Sequence, residues 1–588
     1  MRIRFLLLII ILTVSACDRG RQTADDYARI SLVELEDKIQ GGLLGEILGN
    51  LNGLPYEFKF YNDPGKVEAY IPALPYGGYT DDDTDIEWVH IFQMQKEDTL
   101  FLSPDQIVEA WKENMNKKVY ASAYYIRQLM DIGIKPPQTG YQLFNPFSHF
   151  SLAGSYLSEA YGLISPGMPQ TAAQIGTHYT SIQVEGESLQ VTQLVTSMIS
   201  IAFFIDDVEE IINKGIHALD PLSDLYHTVD SVRTWYRRYP DDYLQTRKQI
   251  KNHYYTSSFP DKINDVSYRV NMTNTACVVA GLLYGQGDFT ETLRIIFNLG
   301  WDADCNAATA GTIIGVIKGR SWMLDQGWDI SDQYWNDTRD GMPQDETITS
   351  YGDRLVSLAE KIILRNGGVI EETEDGSICK IRTEEVKNRE KLKHSMDHLG
   401  DLKLSMKDSI IEQIRDDKGG TEEWARGAYY ALCLELAKDL ENDFPVEWER
   451  AIKSLDKYPR LLYAMLYPKY PLAFRIRELA MASGIDMVNI EPSLTGNVEF
   501  HLDDTYPGAE SIAVYGDFTN YSKFETIFGR ESGQWICRVD LKPGRYNYQF
   551  IVRNRDGTQQ YIFDPHNKVK GRHIDGHYYS MLDVGQTP

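Results

Sequence analysis

Gly41, Gly45, Gly49 and Gly53 stand four apart in the segment GGLLGEILGNLNGLPYEF. That spacing puts them on one face of a helix. Each costs about 1 kcal/mol of helix propensity relative to alanine, so a stripe of four needs an offsetting gain. Close approach of a second backbone is the usual one. A second stripe, Gly311, Gly315 and Gly319, follows Ala307 and Ala308 in DADCNAATAGTIIGVIKG. The two stripes predict a pair of helices packed face to face at the core of an α-helical domain. Each stripe could instead pack on another element, which leaves the fold class unchanged. Membrane helices also associate through this spacing, but Glu46, Asn50 and Asn52 argue against lipid.

Carboxylates stand beside both stripes. Asp302 and Asp304 lead into the second, and Thr80 to Asp85 reads TDDDTD. Crowded carboxylates repel, so they stay in water, hold protons or bind cations. Two short acidic motifs far apart in sequence can clamp a pair of hard ions such as Mg2+. Taken alone, TDDDTD also reads as a solvated helix-capping loop. Acidic residues outnumber basic ones 85 to 59, for a net charge of -26. Phosphate backbones are repelled by such a chain, and no dense Lys/Arg run supplies a basic patch, so nucleic acid is disfavoured as a partner.

At the start, Arg2 and Arg4 precede an apolar run from Phe5 to Val14. It has the size of a signal-peptide core and is too short to span a bilayer. Val14-Ser15-Ala16-Cys17 resembles the bacterial lipobox, which implies cleavage before Cys17 and lipidation of its sulfur. An ordinary cleaved signal is the other reading. The expectation is a signal peptide over 1–16, a flexible tether over 17–30 and a protein lipid-anchored to a membrane of the cell envelope, outside the cytoplasm. Cys277, Cys305, Cys379, Cys433 and Cys537 remain, odd in number and widely spaced. Neither a disulfide framework nor a CxxC metal knuckle results.

Apolar residues recur at three and four from Ile30 to about Gly368, as in Val191, Leu194, Val195, Met198 and Ile199, which predicts helices. Asn366-Gly367-Gly368 and the acidic stretch after it mark a boundary. Residues 369–490 read as a helical linker region, with amphipathic candidates at 422–439 and 461–482, the latter broken at Pro468 and Pro471. From 491 the texture turns to short Val-, Tyr-, Phe- and Ile-rich runs near 498–502, 511–515, 535–541, 546–552, 561–563 and 578–582, with a Lys542-Pro543-Gly544 turn. This predicts an all-β, immunoglobulin-like sandwich over 491–588.

Three ordered motifs carry a resemblance. Gly49-Asn50-Leu51-Asn52-Gly53-Leu54-Pro55-Tyr56-Glu57, then TDDDTD, then Gly300-Trp301-Asp302-Ala303-Asp304-Cys305 resemble the signature of the ADP-ribosylglycohydrolase family, over residues 31–368. The resemblance implies a compact all-α domain with a binuclear Mg2+ centre. It also implies hydrolysis of the N- or O-glycosidic bond at the anomeric carbon of an ADP-ribosyl group. Carried over, Glu57 and Asp302 are catalytic, Glu57 as general acid/base. Asp302 and Asp304 are metal ligands, with Asp81, Asp82, Asp83 and Thr80. Two registers fit the acidic run. One matches Thr80-Asp81-Asp82, and the favoured one matches Asp82 and Asp83, with Asp81 in place of a hydroxyl ligand. His178 and Asn50 are substrate-binding candidates, though a lone His is often structural. The departures are Asn50 for an acidic residue, Cys305 for Thr or Ser, and the segment 145–150 where a glycine-rich substrate loop is usual.

The C-terminal runs 514–521, 542–550 and 564–567 resemble the glycogen-binding early-set domain, a carbohydrate-binding module. That implies a possible glycan partner, with Tyr521 in place of the usual Trp and Trp535 in the core. The leading function is a metal-dependent hydrolase of ADP-ribosyl-type bonds. The alternative is a non-catalytic glycan- or nucleotide-binding lipoprotein with a degenerate metal site.

Overall fold

The computed structural model describes residues 27–115, 119, 121–148, 151–254, 269–336, 338–374, 376–389, 391, 393–416, 418–458, 461, 481, 492–503, 505–519, 526–555, 558–572 and 578–585. The signal segment, Cys17, most of the expected tether, most of the 461–482 helix candidate and Tyr521 lie outside the described residues.

The elements that position the site are, in chain order, β1 (Tyr27–Ser31), α1 (Leu32–Gly53), α2 (Asp82–Lys96), α3 (Ala121–Asp131), α4 (Pro169–Thr180), α5 (Glu187–Ala202), α6 (Tyr243–Tyr254), α7 (Ala303–Lys318), α8 (Ile348–Arg365), β2 (Val369–Thr373), β3 (Gly376–Arg382), α9 (Leu399–Arg415) and α10 (Thr421–Cys433). Residues 31–365 form a helical domain around one large apolar core. Ser31 starts α1 by accepting from the Glu34 amide at 3.1 Å, and Thr347 and Ser350 cap α8 reciprocally. The periodic residues Val191, Leu194, Val195, Met198 and Ile199 of α5 are all buried in that core.

Two segments differ from the sequence expectation. Residues 27–30, expected in the tether, belong to β1, which pairs antiparallel with β3. Residues 369–382, expected at the start of the helical linker, form the β2–β3 hairpin. The physical reason is pairing. β1 meets β3 only because the ends of the domain come together, and the shared sheet buries Ile30, Cys379 and Ile381 against the helical core. The acidic run that reads as a boundary is the hairpin's solvent-facing tip, turned at Gly376 with φ +115°.

The middle region is helical from 395 and packs rather than merely links. Ile410 and Ile414 of α9 and Tyr429 and Leu432 of α10 share a core with Tyr125 and Leu129 of α3 and with Phe144. The Tyr125 and Tyr429 hydroxyls bond at 2.9 Å, and Tyr429 also donates to the Phe144 carbonyl at 2.6 Å.

The C-terminal region is strand-rich and antiparallel, with β4 (Val498–Leu502), β5 (Ala509–Gly516), β6 (Gly529–Glu531), β7 (Gln534–Val539), β8 (Gly544–Asn554), β9 (Gln559–Ile562), β10 (Lys570–Arg572) and β11 (Tyr578–Val584). One sheet has the order β4-β7-β6. In the other, β8 pairs with β5, β9 and β11, and β11 with β10. Phe500, Val514, Trp535, Cys537 and Phe550 fill the space between them as a β-sandwich core. Trp535 is thus a core residue, with the Arg530 guanidinium 4.2 Å from its ring centre. Among the described residues no helix is long and apolar enough to cross a membrane, and the five cysteines there are buried and form no disulfide.

Candidate active site

The two glycine stripes pack on each other. A Cβ on Gly45 would lie 2.2 Å from the Gly311 carbonyl oxygen, and one on Gly49 2.1 Å from that of Ala307. One on Gly315 would lie 2.2 Å from the Gly41 carbonyl, and one on Gly53 2.5 Å from the Asp304 Cα. Any side chain there would force the backbones apart, which is why both faces are glycine and alanine. Residue 41 faces 315, 45 faces 311, 49 faces 307 and 53 faces 304, so α1 and α7 run antiparallel. The C-terminus of α1 therefore meets the N-terminus of α7, and the chain leaving Gly53 runs into the surroundings of Asp302.

Beyond Gly53 the chain makes a single 3-10 turn, Leu54–Tyr56, and reaches Glu57. Phe58 and Trp301 flank the two carboxylate motifs with φ of 50° and 61°. Such left-handed non-glycine backbone costs about 1–3 kcal/mol per residue and persists only where the surroundings impose it. Here the Phe58 amide donates to the Trp301 carbonyl at 2.7 Å. Arg247 of α6, itself buried, joins the same two loops. Its Nε donates to the Leu299 carbonyl at 2.8 Å, its Nη2 to the carbonyls of Phe60 at 2.8 Å and Asp63 at 3.0 Å. Its guanidinium stands 4.7 Å from the Trp301 ring centre. Asn274 holds the other side, its Oδ1 accepting from the Asp302 amide at 3.3 Å and from Asn306 Nδ2 at 2.9 Å.

The acidic run reaches the same place from α2. Gly78–Tyr79 pairs in parallel with Tyr334–Trp335, and Asp81 caps α2 by accepting from the Asp82 amide at 2.7 Å. Asp82 and Asp83 then occupy the first turn. Asp85 is taken up elsewhere, in a buried ion pair with Arg339 at 2.6 Å. Thr338 Oγ1 lies 3.1 Å from Asp85 and 2.9 Å from Thr80 Oγ1, so the Thr80 hydroxyl is on the Asp85 side. From α1, Asn50 Nδ2 donates to Asp83 Oδ2.

Three overlapping groups result, each with ligand atoms within 4.8 Å of one another: Glu57, Asp302 and Asp304; Asp83, Asp304 and Cys305; and Asp81, Asp82 and Asp83. Asp304 and Asp83 each belong to two groups, so the set forms one continuous centre. Among the described residues, Asp83 Oδ1, Asp302 Oδ1, Asp304 Oδ1 and Asn50 Oδ1 are buried with no donor in reach. Buried oxygens without donors are costly, and hard cations take such oxygens as ligands. Burial first, then neighbouring carboxylates, pushes Asp82, Asp83 and Asp304 well above the usual carboxylate range. Burial raises Asp302 and lifts the Cys305 thiol well above its ordinary value. The donor set fits divalent cations.

The sequence profile of the ADP-ribosylglycohydrolase family matches residues 31–365, more than half of the chain. The chain belongs to the ADP-ribosylglycohydrolase family. Comparison with curated proteins returns no match. Family membership makes residues 31–365 a hydrolase domain of glycohydrolase type, typically metal-dependent, and implies an ADP-ribosylated substrate.

Within this glycohydrolase domain, Asp81, Asp82, Asp83, Asp302, Asp304 and Glu57 are brought together, and Asn50 touches the set through Asp83. His178 is tied to another part of the domain. Its Nε2 is 3.0 Å from the Leu102 carbonyl, and its ring meets Phe101 and Tyr179 edge-on. Tyr179 stacks on His90 of α2, eight residues or roughly 12 Å along the helix from Asp82. Sequence reasoning missed Arg247, Asn274, Arg339 and Tyr156, whose buried phenol is raised by burial first and then by Asp82 and Cys305. None of these lies in a motif. For Tyr156 the one available signal was its place in GSY, next to the altered 145–150 segment.

Proposed function

We propose that the chain hydrolyses the bond between the anomeric carbon of an ADP-ribosyl group and a nitrogen or oxygen, using this carboxylate centre with two Mg2+ ions. The observation that carries the reading is the overlap of the three carboxylate groups at the junction of α1, α2 and α7. Asp81, Asp82, Asp83, Asp302 and Asp304 would hold the ions, and the Asn50 carboxamide oxygen is a further hard donor. Bound there, Mg2+ would supply positive charge for orienting ribose hydroxyls and for acidifying water. Glu57 takes the proton of the attacking water and returns one to the leaving atom as the carbon–nitrogen or carbon–oxygen bond breaks. The ring carbon becomes oxocarbenium-like, and the Asp302 carboxylate stabilises that charge. Arg247, Phe58 and Trp301 keep Glu57 and Asp302 in register, which the chemistry requires to within a fraction of an ångström.

The test is release of free ADP-ribose from N-linked and O-linked conjugates, with Mg2+ and with chelator, by the full chain and by Asp302→Ala and Glu57→Ala. Metal-dependent release lost in both variants supports the reading. ADP-ribose binding without turnover on any linkage overturns it for the alternative, a non-catalytic binder. One feature favours that alternative: a buried thiol, Cys305, stands where a hard oxygen would serve Mg2+ better.

The rest of the chain completes the proposal. Residues 1–16 would be a signal peptide, and lipidated Cys17 would tether the enzyme to a membrane outside the cytoplasm. Residues 491–588 would offer glycan a surface that includes the exposed Tyr561, Phe563 and Tyr578. Mass measurement of the mature N-terminus and titration of the full chain with soluble glucan test these two points.

A further inference from the structure

Two buried carboxylates, Glu185 and Glu187, stand where the chain turns into α5. One short stretch just before α9, His394-Ser395, engages both. The Ser395 amide and hydroxyl donate to Glu185 Oε1 at 3.0 and 2.8 Å. The Gln142 amide donates to the same oxygen at 2.9 Å, and the Leu143 amide to the Ser395 hydroxyl at 3.0 Å. His394 Nε2 lies 3.2 Å from Glu187 Oε2. The His394 ring rests on the backbone of Gly186, where φ is +66° and a Cβ would lie 2.3 Å from Cε1 of the ring. Glycine at 186 serves both the turn and the seat for the imidazole.

The stretch leads straight into α9, which with α10 shares the core of Tyr125, Leu129 and Phe144. Beside it the contact is not filled. His394, Ser395 and Leu402 face Val184 and Leu189 across a cavity of about 310 Å3, so polar bonds hold these two walls together. His394 is the member that changes charge near neutrality. Its bond to Glu187 holds the imidazole above its ordinary 6.5 against burial, with Glu185 and Asp397 adding to the effect. Lys391 and Lys393 are exposed along the same cavity, and exposed His398 stands 3.8 Å from Asp401. Burial and then Glu185 raise the Tyr141 phenol, which keeps its proton here. Burial also raises Glu185, with the Ser395 hydroxyl first in opposing it. That carboxylate gains its proton on the acid side. A histidine raised on folding contributes stability that is complete below its unfolded value and is lost as pH rises through the folded one. The neutral ring keeps one N–H and no charge, so two buried carboxylates lose the cation between them.

We propose that His394, Glu185 and Glu187 form a proton-operated clasp: protonated His394 fastens α9 and α10 to the hydrolase domain, and neutral His394 lets this junction open more readily. The clasp holds residues 142–143 as well, through the Gln142 and Leu143 amides. Loosening at 394–395 therefore reaches both stretches. Neither the clasp nor its test depends on glycohydrolase activity.

The experiment is hydrogen–deuterium exchange of the full chain at pH 6 and pH 8.5, read by mass spectrometry over 140–145 and 393–402 and corrected for the intrinsic change in exchange rate. Staying at pH 6 and above keeps clear of the carboxyl titrations. His394→Gln, Glu187→Gln and His398→Gln are run alongside. Both stretches of the unaltered chain should be better protected at pH 6 than at pH 8.5, by about threefold or more, the scale of a partly buried ion pair. His394→Gln and Glu187→Gln should each abolish that difference, and His398→Gln should leave it in place. His394 is partly exposed, so its arm stands even if Glu187→Gln fails to fold. Equal protection at the two pH values overturns the proposal. So does a difference that survives His394→Gln or a folded Glu187→Gln, or one that vanishes in His398→Gln.

Discussion

Asn50 and Cys305 both act on Asp83, and their effects on it are opposite in kind. Asn50 fixes the carboxylate by donating to one oxygen, leaving the other for a ligand. Cys305 adds a soft, buried thiol to the group it forms with Asp83 and Asp304. Removing a group that orients a metal ligand commonly costs 10–100-fold in affinity or activity. Asn50→Ala should therefore lower Mg2+-dependent turnover by about 10–100-fold while the fold is kept, as read by initial rates and by thermal melting in chelator. Cys305→Ser replaces a thiol with a hydroxyl of nearly the same size. Mg2+ should then bind about tenfold more tightly, and the ratio of Cd2+ to Mg2+ affinity should fall, since thiol ligands select soft ions. Isothermal titration with the two metals separates this from a general change in stability. Glu57 is a separate case because it stands at the edge of the buried set. Glu57→Gln keeps size and polarity but cannot exchange a proton. Turnover should drop by about 10^2–10^4-fold with little change in Mg2+ affinity. Loss of metal binding instead would make Glu57 a ligand rather than the acid/base.

At the scale of elements, the antiparallel contact of α1 and α7 carries the site, and its tolerance for a methyl group is testable. Gly49→Ala puts a Cβ 2.1 Å from the Ala307 carbonyl. Gly400→Ala, near the start of α9, has nothing within 4 Å. Both replace glycine in a helix, where alanine alone would stabilise by about 1 kcal/mol. Gly400→Ala should thus be neutral or stabilising. Gly49→Ala should lose at least about 1–3 kcal/mol from overpacking, measured by denaturant titration. It should also lower turnover, because the shift moves Glu57 against Asp304. This contact was legible in the sequence because an absent side chain is a statement about backbone approach, and two complementary stripes imply each other. The gathering of Asp82 and Asp83 with Asp302 and Asp304 was not legible from spacing: the mutual repulsion of the carboxylates allowed a shared cation site, and the resemblance made that pairing specific. Arg247 and Asn274 were invisible for a different reason. Each is one of several polar residues on its helix with nothing to single it out, and the groups it holds, the carbonyls of 60, 63 and 299 for Arg247 and the Asp302 amide and Asn306 for Asn274, are far away in the chain. The β1–β3 pairing failed to show because a five-residue strand has little periodicity of its own and gains its partner only when the domain closes. His178 entered as a substrate-binding candidate only through its resemblance to a family histidine, and its neighbours in the structure are Leu102, Phe101 and Tyr179.

For the whole molecule, acidity and domain packing set stability in ways that can be separated. Burial raises Asp85 to about 6, partly countered by Arg339. Glu159 is raised by burial to about 7, partly countered by the Thr309 hydroxyl. A carboxyl raised on folding is protonated in the native chain while the unfolded chain has released its proton. Its contribution to stability is complete below the unfolded value and is lost as pH rises through the folded one. The windows are pH 3.8–6 for Asp85 and 4.5–7 for Glu159. In chelator the melting temperature should therefore be higher at pH 5 than at pH 8. Mg2+ should narrow the gap by replacing protons on Asp82, Asp83 and Asp304 and should leave the Glu159 part in place. The second lever is the shared core of α3, α9 and α10. We propose that residues 395–458 complete the hydrolase domain, whereas the sandwich of 491–588 is a separate unit. Among the described residues, its core at Phe500, Val514 and Phe550 draws only on residues from 498 onward. Ending the chain at residue 388 uncovers Tyr125, Leu129 and Phe144, each an apolar side chain worth about 1.5–3 kcal/mol of burial, and removes the Tyr429 hydrogen bonds. Among the described residues none beyond Leu461 belongs to that core, so ending the chain at 490 uncovers none of the three. The shorter product should melt several degrees below the longer one or fail to stay in solution, and the longer should match the full chain in its hydrolase-domain transition. Equal melting of the 388 and 490 products would show that α9 and α10 contribute nothing to that core. Loss of the hydrolase transition on removing the sandwich alone would show that the division at 490 is wrong.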